Sequence, residues 1–210
     1  TKEGGIPLRT TVSEMGPLLL SRILGLSDVQ GDILRIIFRI ADEEGLLLLD
    51  LKDLRAMLRY ISENNKEYEK SYGKLSTQSL NAILRSVVAL EDRGGAEFFG
   101  EPAIDVRDFF RANAEGKGVI SILDAKSVAS DPTIYSTFLL YLLSELYENL
   151  PEVGDLEKPR MVFFFDEAHL LFQDCEKALL EKITQVTRLI RSKGIGIYYV
   201  SQNPADIPES

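Results

Sequence analysis

Two adjacent carboxylates, Asp166 and Glu167, close an unbroken apolar run, Met161-Val162-Phe163-Phe164-Phe165. A second apolar run, Ile195–Val200, ends in Ser201-Gln202-Asn203-Pro204. Paired acids at such a place can divide the work of hydrolysis. One holds a divalent cation, usually through water, and the other polarises the attacking water. An uncharged amide beside them can donate to a phosphate oxygen and accept from that water at once. The competing readings are plainer: the acids cap the next helix, and Gln202 bonds backbone in a loop. Arg188 and Arg191 lie three apart on one face of the helix before the second run. They suit a solvated face or a packing role.

The elements needed to bring these groups together can be read from the pattern. A run without alternation suits a strand covered on both faces, as in a parallel α/β sheet. Parallel strands carry their carboxyl ends to one edge, which is where open α/β sheets bind ligands. From 118 to 201 the spacing predicts strand–helix–strand–helix–strand with right-handed crossovers. Val119–Leu123 (V-I-S-I-L) is the first strand. Asp131-Pro132 starts a helix to about Asn149, with Ile134, Phe138, Leu139, Leu142 and Leu146 as its buried stripe. Its other faces are apolar too, so it is enclosed or lies at an interface. Asp174 caps the next helix, with Leu179, Ile183, Val186 and Ile190 inward, and Gly194 ends it. The earlier chain reads differently. Ser27-Asp28-Val29-Gln30 fits a capping box ahead of Ile33, Ile36, Ile37 and Ile40. Asp50 caps a helix bearing Leu54, Met57, Leu58 and Ile61, and Ser76 starts another that ends at Gly94-Gly95. A short helix is expected at Leu18–Leu24, after Pro17. The expected organisation is therefore an α/β protein in three parts. They are an N-terminal segment at 1–27 packing on the core, an inserted helical bundle at 28–92, and a sheet-bearing part at 93–210.

At 210 residues the chain can bury one good-sized core, or a core and a small second domain. A net charge of -9 makes the chain as a whole a poor electrostatic trap for nucleic acid, so any DNA contact must be local. The single cysteine, Cys175, excludes an internal disulfide and fits a reducing, cytoplasmic setting. No apolar run reaches membrane-spanning length. One Cys and one His do not make a zinc ligand set. No G-x-S-x-G is present, and nothing pairs a nucleophile with His169, the only histidine. His169 itself reads as a partly buried hydrogen-bonding residue at a helix start.

The acid-ended strand has the Walker B pattern of nucleotide hydrolases. M-V-F-F-F-D-E-A-H-L-L-F followed by R-L-I-R-S-K-G-I-G-I-Y-Y-V-S-Q-N-P resembles the HerA/FtsK group of RecA-like P-loop ATPases, in its HerA-like (YjgR) branch. The resemblance extends through L-R-T-T-V-S-E-M-G-P-L-L-L and the helical region. It implies a partial RecA-like parallel sheet flanked by helices, interrupted by a helical insertion and commonly assembled as a hexameric ring. It also implies a motor ATPase that uses ATP and Mg²⁺, with translocation of DNA as the extrapolated activity. By position, Asp166 resembles the Walker B acid that holds Mg²⁺ through water, and Glu167 the catalytic glutamate. Gln202 resembles the γ-phosphate sensor, and Arg191 or Arg188 a residue acting in trans. D-E-A-H also suggests a superfamily 2 helicase, but those follow with a strand ending Ser-Ala-Thr, not Ser-Gln-Asn-Pro.

One motif departs from the family. A P-loop needs G-x-x-x-x-G-K-[ST] so that backbone amides cradle phosphate and Lys neutralises it. The Gly-Lys pairs Gly73-Lys74 and Gly116-Lys117 lack the earlier glycine and the following Ser or Thr. The chain thus resembles an internal piece of a longer ATPase, expected alone neither to hold ATP tightly nor to hydrolyse it. The alternative is non-enzymatic: a protein-interaction or ring-assembly module at 28–92 on an α/β scaffold.

Overall fold

The computed structural model describes residues 5–125, 132–154, 156–172 and 177–203. Asp131, Asp174 and Cys175, and the side chain of Leu179, lie outside the described residues. Two compact units part between Ile104 and Asp105.

The first unit is helical because its capping signals and apolar stripes agree. Thr11 and Glu14 form a capping box that starts α1 (Val12–Ile23). Helix α1 therefore begins before the expected Leu18 and accommodates Pro17 by a kink, with Gly16 at φ 72°. Ser27 and Gln30 form the expected box at α2 (Asp28–Glu43). Asp50 accepts from the backbone amides of Lys52 and Asp53 to start α3 (Leu51–Glu63). After α4 (Asn65–Tyr72), Ser76 caps α5 (Thr77–Leu90). The chain passes Gly94-Gly95 in a widened turn and enters the short α6 (Ala96–Phe98). Leu34 and Ile37 of α2, Leu54, Leu58 and Ile61 of α3, and Leu80 and Ile83 of α5 make the core. The N-terminal segment is tied into this unit by backbone. Thr10 donates to the Phe98 carbonyl (3.2 Å) and accepts from Gly100 (2.9 Å), which carries 93–104 with the helices.

A leucine without solvent exposure in such a core tests the packing. Leu54→Ala is expected to cost about 2–5 kcal/mol, read as a lowered urea midpoint by circular dichroism. Lys52→Ala, on the exposed side of the same helix, is expected to stay within about 0.5 kcal/mol.

The second unit holds the sheet. Helix α7 (Pro132–Asn149) is buried nearly all round through Tyr135, Phe138, Leu139, Leu140, Leu142, Leu143 and Leu146, as its apolar faces require. It packs against α8 (His169–Phe172) and α9 (Lys177–Leu189). Strands β1 (Met161–Phe165) and β2 (Ile195–Tyr199) pair in parallel, with Met161 opposite Ile195 and Phe165 opposite Tyr199. Gly194 stops the 3₁₀ turn after α9 in the left-handed region, φ 76°. A Cβ there would come within 3.0 Å of Val153, so only glycine fits without displacing its neighbour.

Two expectations about the sheet are corrected. Residues 119–123 form no strand. They join no β-ladder, and Ile120 and Ile122 are 89% and 90% exposed. The Val119 amide instead donates to the Arg111 carbonyl (3.0 Å), closing a tight turn over Asn113–Lys117. Strand propensity describes a half-buried pleated surface, and without a ladder partner it is not realised. The β1 run is also not covered on both faces. Phe163, Phe165 and Tyr199 face a covered side where Phe172 meets Tyr199 edge-on at 5.4 Å. Phe164 and Tyr198 stack at 5.1 Å on the other side, 69% and 57% exposed. What the structure shows is a helix-rich mixed protein with a small parallel sheet.

Candidate functional site

The parallel ladder runs past the ends of its strands and builds the turn that carries the acids. Val200 donates to the Phe165 carbonyl, and Ala168 donates to the Val200 carbonyl, each at 2.8 Å. Residues 166 and 167 are thereby held in a short arch over the carboxyl end of the sheet. The arch is tight enough to put Glu167 at φ 50°, the one positive φ outside glycine among the described residues. A residue of this type in that region costs about 1–3 kcal/mol, and such strain gathers at functional sites. Asp166 is exposed and takes the Glu167 amide on Oδ1 at 3.1 Å.

The sheet also delivers the amide. Gln202 follows β2 and donates from Nε2 to Glu167 Oε1 at 3.4 Å. A long hydrogen bond of this kind is weak, and a phosphate oxygen or a water placed between the groups can displace it. The second carboxylate oxygen is in a different position. Oε2 is shut off from solvent and has no hydrogen bond among the described residues, while Nδ1 of His169 stands 3.2 Å away. Behind the site, Thr187 of α9 shares a hydrogen bond with the Tyr199 hydroxyl at 3.2 Å. Burial pushes that phenol above its ordinary value, and the Thr187 bond partly offsets the shift.

Of the residues singled out in the sequence, Asp166, Glu167 and Gln202 come together at one edge. Arg188 and Arg191 do not join them. Both are exposed, in the last turn of α9 and in the 3₁₀ turn Ile190–Lys193 that precedes β2. The five residues of β2 put roughly 16 Å between that end of the strand and Gln202. Sequence reasoning gave His169 no link to the acids. No sequence signal points to it, because the contact depends on the positive φ at Glu167.

The oxygen set at this edge fits magnesium. Mg²⁺ prefers one or two carboxylates together with substrate phosphates and waters, not an all-protein cage. Asp166 presents an exposed carboxylate, a hard-oxygen group of the kind such a set uses. Among the described residues no cluster of three or more acidic, histidine or cysteine side chains could hold a metal unaided. Among them also, no helix is long and apolar enough to cross a membrane.

Comparison with known proteins bears on the whole chain. No curated protein and no solved structure matches it. The family model described as helicase HerA-like C-terminal matches residues 1–210. With an acid pair and an amide meeting at the carboxyl edge of a parallel sheet, the chain belongs to the helicase HerA-like C-terminal family.

Proposed function

We propose that this chain is the acid-and-sensor part of an ATP-driven motor of the HerA-like kind. The observation that carries the reading is the Glu167–Gln202 contact across the ends of β1 and β2. Glu167 polarises the water that attacks the γ-phosphate, and Gln202 moves from the carboxylate to a phosphate oxygen when nucleotide is present. Asp166 is the residue that would hold Mg²⁺, and the cation would supply charge neutralisation at the phosphate oxygens. The phosphate cradle itself comes from sequence other than these 210 residues, none of which form a P-loop. In the complete RecA-like sheet, the exposed Phe164–Tyr198 face and the 119–123 segment gain partners. Arg191 belongs to the same reading as a residue acting on the site of the next subunit in a hexameric ring, and DNA is the substrate proposed for translocation.

Mg-ATP hydrolysis by residues 1–210, compared with the full-length protein that includes a P-loop, tests this. The expected result is steady phosphate release only from the longer protein, raised further by DNA. Turnover by residues 1–210 alone would refute the division of labour. Silence in both would return the acids to a capped turn and favour an interaction module at 28–92.

A further inference from the structure

We infer that His169 is a positioning residue that fixes which oxygen of Glu167 meets the attacking water; this rests on the reading of Glu167 as the base. The arch leaves the carboxylate little choice of place. Its backbone is pinned between Phe165 and Ala168 through Val200, and its own amide is taken by Asp166. A carboxylate on a pinned backbone still has two oxygens that can exchange places by a turn of the last torsion, which is soft. The surroundings of the two differ. Oε1 looks toward Gln202, where a phosphate and its water would lie. Oε2 is buried, and a buried charged acceptor without a donor is costly.

The nitrogen nearest to hand is Nδ1 of His169 at 3.2 Å. It is within ion-pair range, and a small rotation of the ring turns it into a hydrogen bond. An ionised carboxylate only accepts, so the hydrogen of this contact must be carried by Nδ1. Anchored in this way, Oε2 cannot swing outward, and Oε1 is the oxygen presented to water. His169 is the first residue of α8, so the rigid start of a helix holds the ring. Orientation of a catalytic base by a second group is the general logic of such sites.

Three variants of the full-length protein test the inference through kcat, KM and Mg-ATP binding. His169→Ala removes the donor, and His169→Asn keeps an N–H near the place of Nδ1. Loss of an orienting partner is expected to lower kcat by about 10–100-fold for His169→Ala with KM within about twofold, and His169→Asn is expected to recover most of it. Wild-type kcat in His169→Ala would overturn the inference. So would equal losses in both variants, since ring packing and not the donor would then matter. If His169→Ala does not fold, His169→Asn decides: near-wild-type turnover supports the role, and loss of turnover with Mg-ATP still bound overturns it. Glu167→Gln is the third variant. If it retains turnover, the base assignment itself fails, an outcome distinguishable from failure of the histidine alone.

Discussion

Glu167→Gln in the full-length protein is expected to lower kcat for ATP by about 10³-fold while leaving Mg-ATP affinity nearly intact. The substitution is close to isosteric, so the arch between Phe165 and Ala168 has no reason to move. The amide oxygen can still accept from Gln202 Nε2, and the left-handed backbone at position 167 is no worse for Gln than for Glu. What is lost is the negative charge that polarises water and can take its proton. In the proposed reading Asp166 would still hold the cation, which is why binding should survive. Phosphate release paired with a nucleotide-binding titration separates the possibilities. Loss of binding together with turnover would make Glu167 a ligand and not a base. Wild-type turnover would reduce the pair to a helix cap on an α/β scaffold.

The same arch shows how much of this molecule could be read from its sequence. Features set by a few neighbouring residues were legible. The capping signals at Ser27, Asp50 and Ser76 each stand at a helix start. Gly194 stops the turn before β2, and the Phe163 and Ile197 strands exist in the expected parallel sense. The capping box of Thr11 and Glu14 is equally local, but it lies before Pro17, which in the sequence pattern marks a later helix start. Features that depend on what lies beside a strand were not legible. Val119–Leu123 has the composition of a strand and no ladder, and Phe164 has the composition of a core and open space above it. Pairing and coverage are non-local and cannot be inferred from a strand's own residues. The candidate site divides along the same line. Asp166, Glu167 and Gln202 could be placed together because parallel strands share an edge. His169 could not, because its reach to Oε2 depends on a positive φ that no composition announces.

Arg191→Ala is expected to cost about 10³-fold in kcat, at the low end of what a phosphate-contacting arginine supplied by a neighbour contributes. Within one chain Arg191 lies at the far end of β2 from Gln202, too distant to reach a phosphate there. Any contribution it makes to hydrolysis would come in trans, and mixing can read that directly. In the proposed ring, a Glu167→Gln subunit lacks the base at its own site, whereas an Arg191→Ala subunit lacks the arginine it would lend to its neighbour's site. In a ring of head-to-tail interfaces assembled from an equimolar mixture, about a quarter of the interfaces join an intact Glu167 to an intact Arg191. Phosphate release should rise well above that of either variant alone, and the gain should vanish when both substitutions sit in one chain. A mixture no more active than its parts would remove Arg191 from the site. Recovery with Arg188→Ala in its place would pass the role to the arginine one turn earlier on the same exposed face. The guanidinium, being always charged and presenting a planar fork of donors, is what phosphate recognition at that distance requires. Arg191→Lys should accordingly recover only part of the loss, because an ammonium keeps the charge but not the paired geometry.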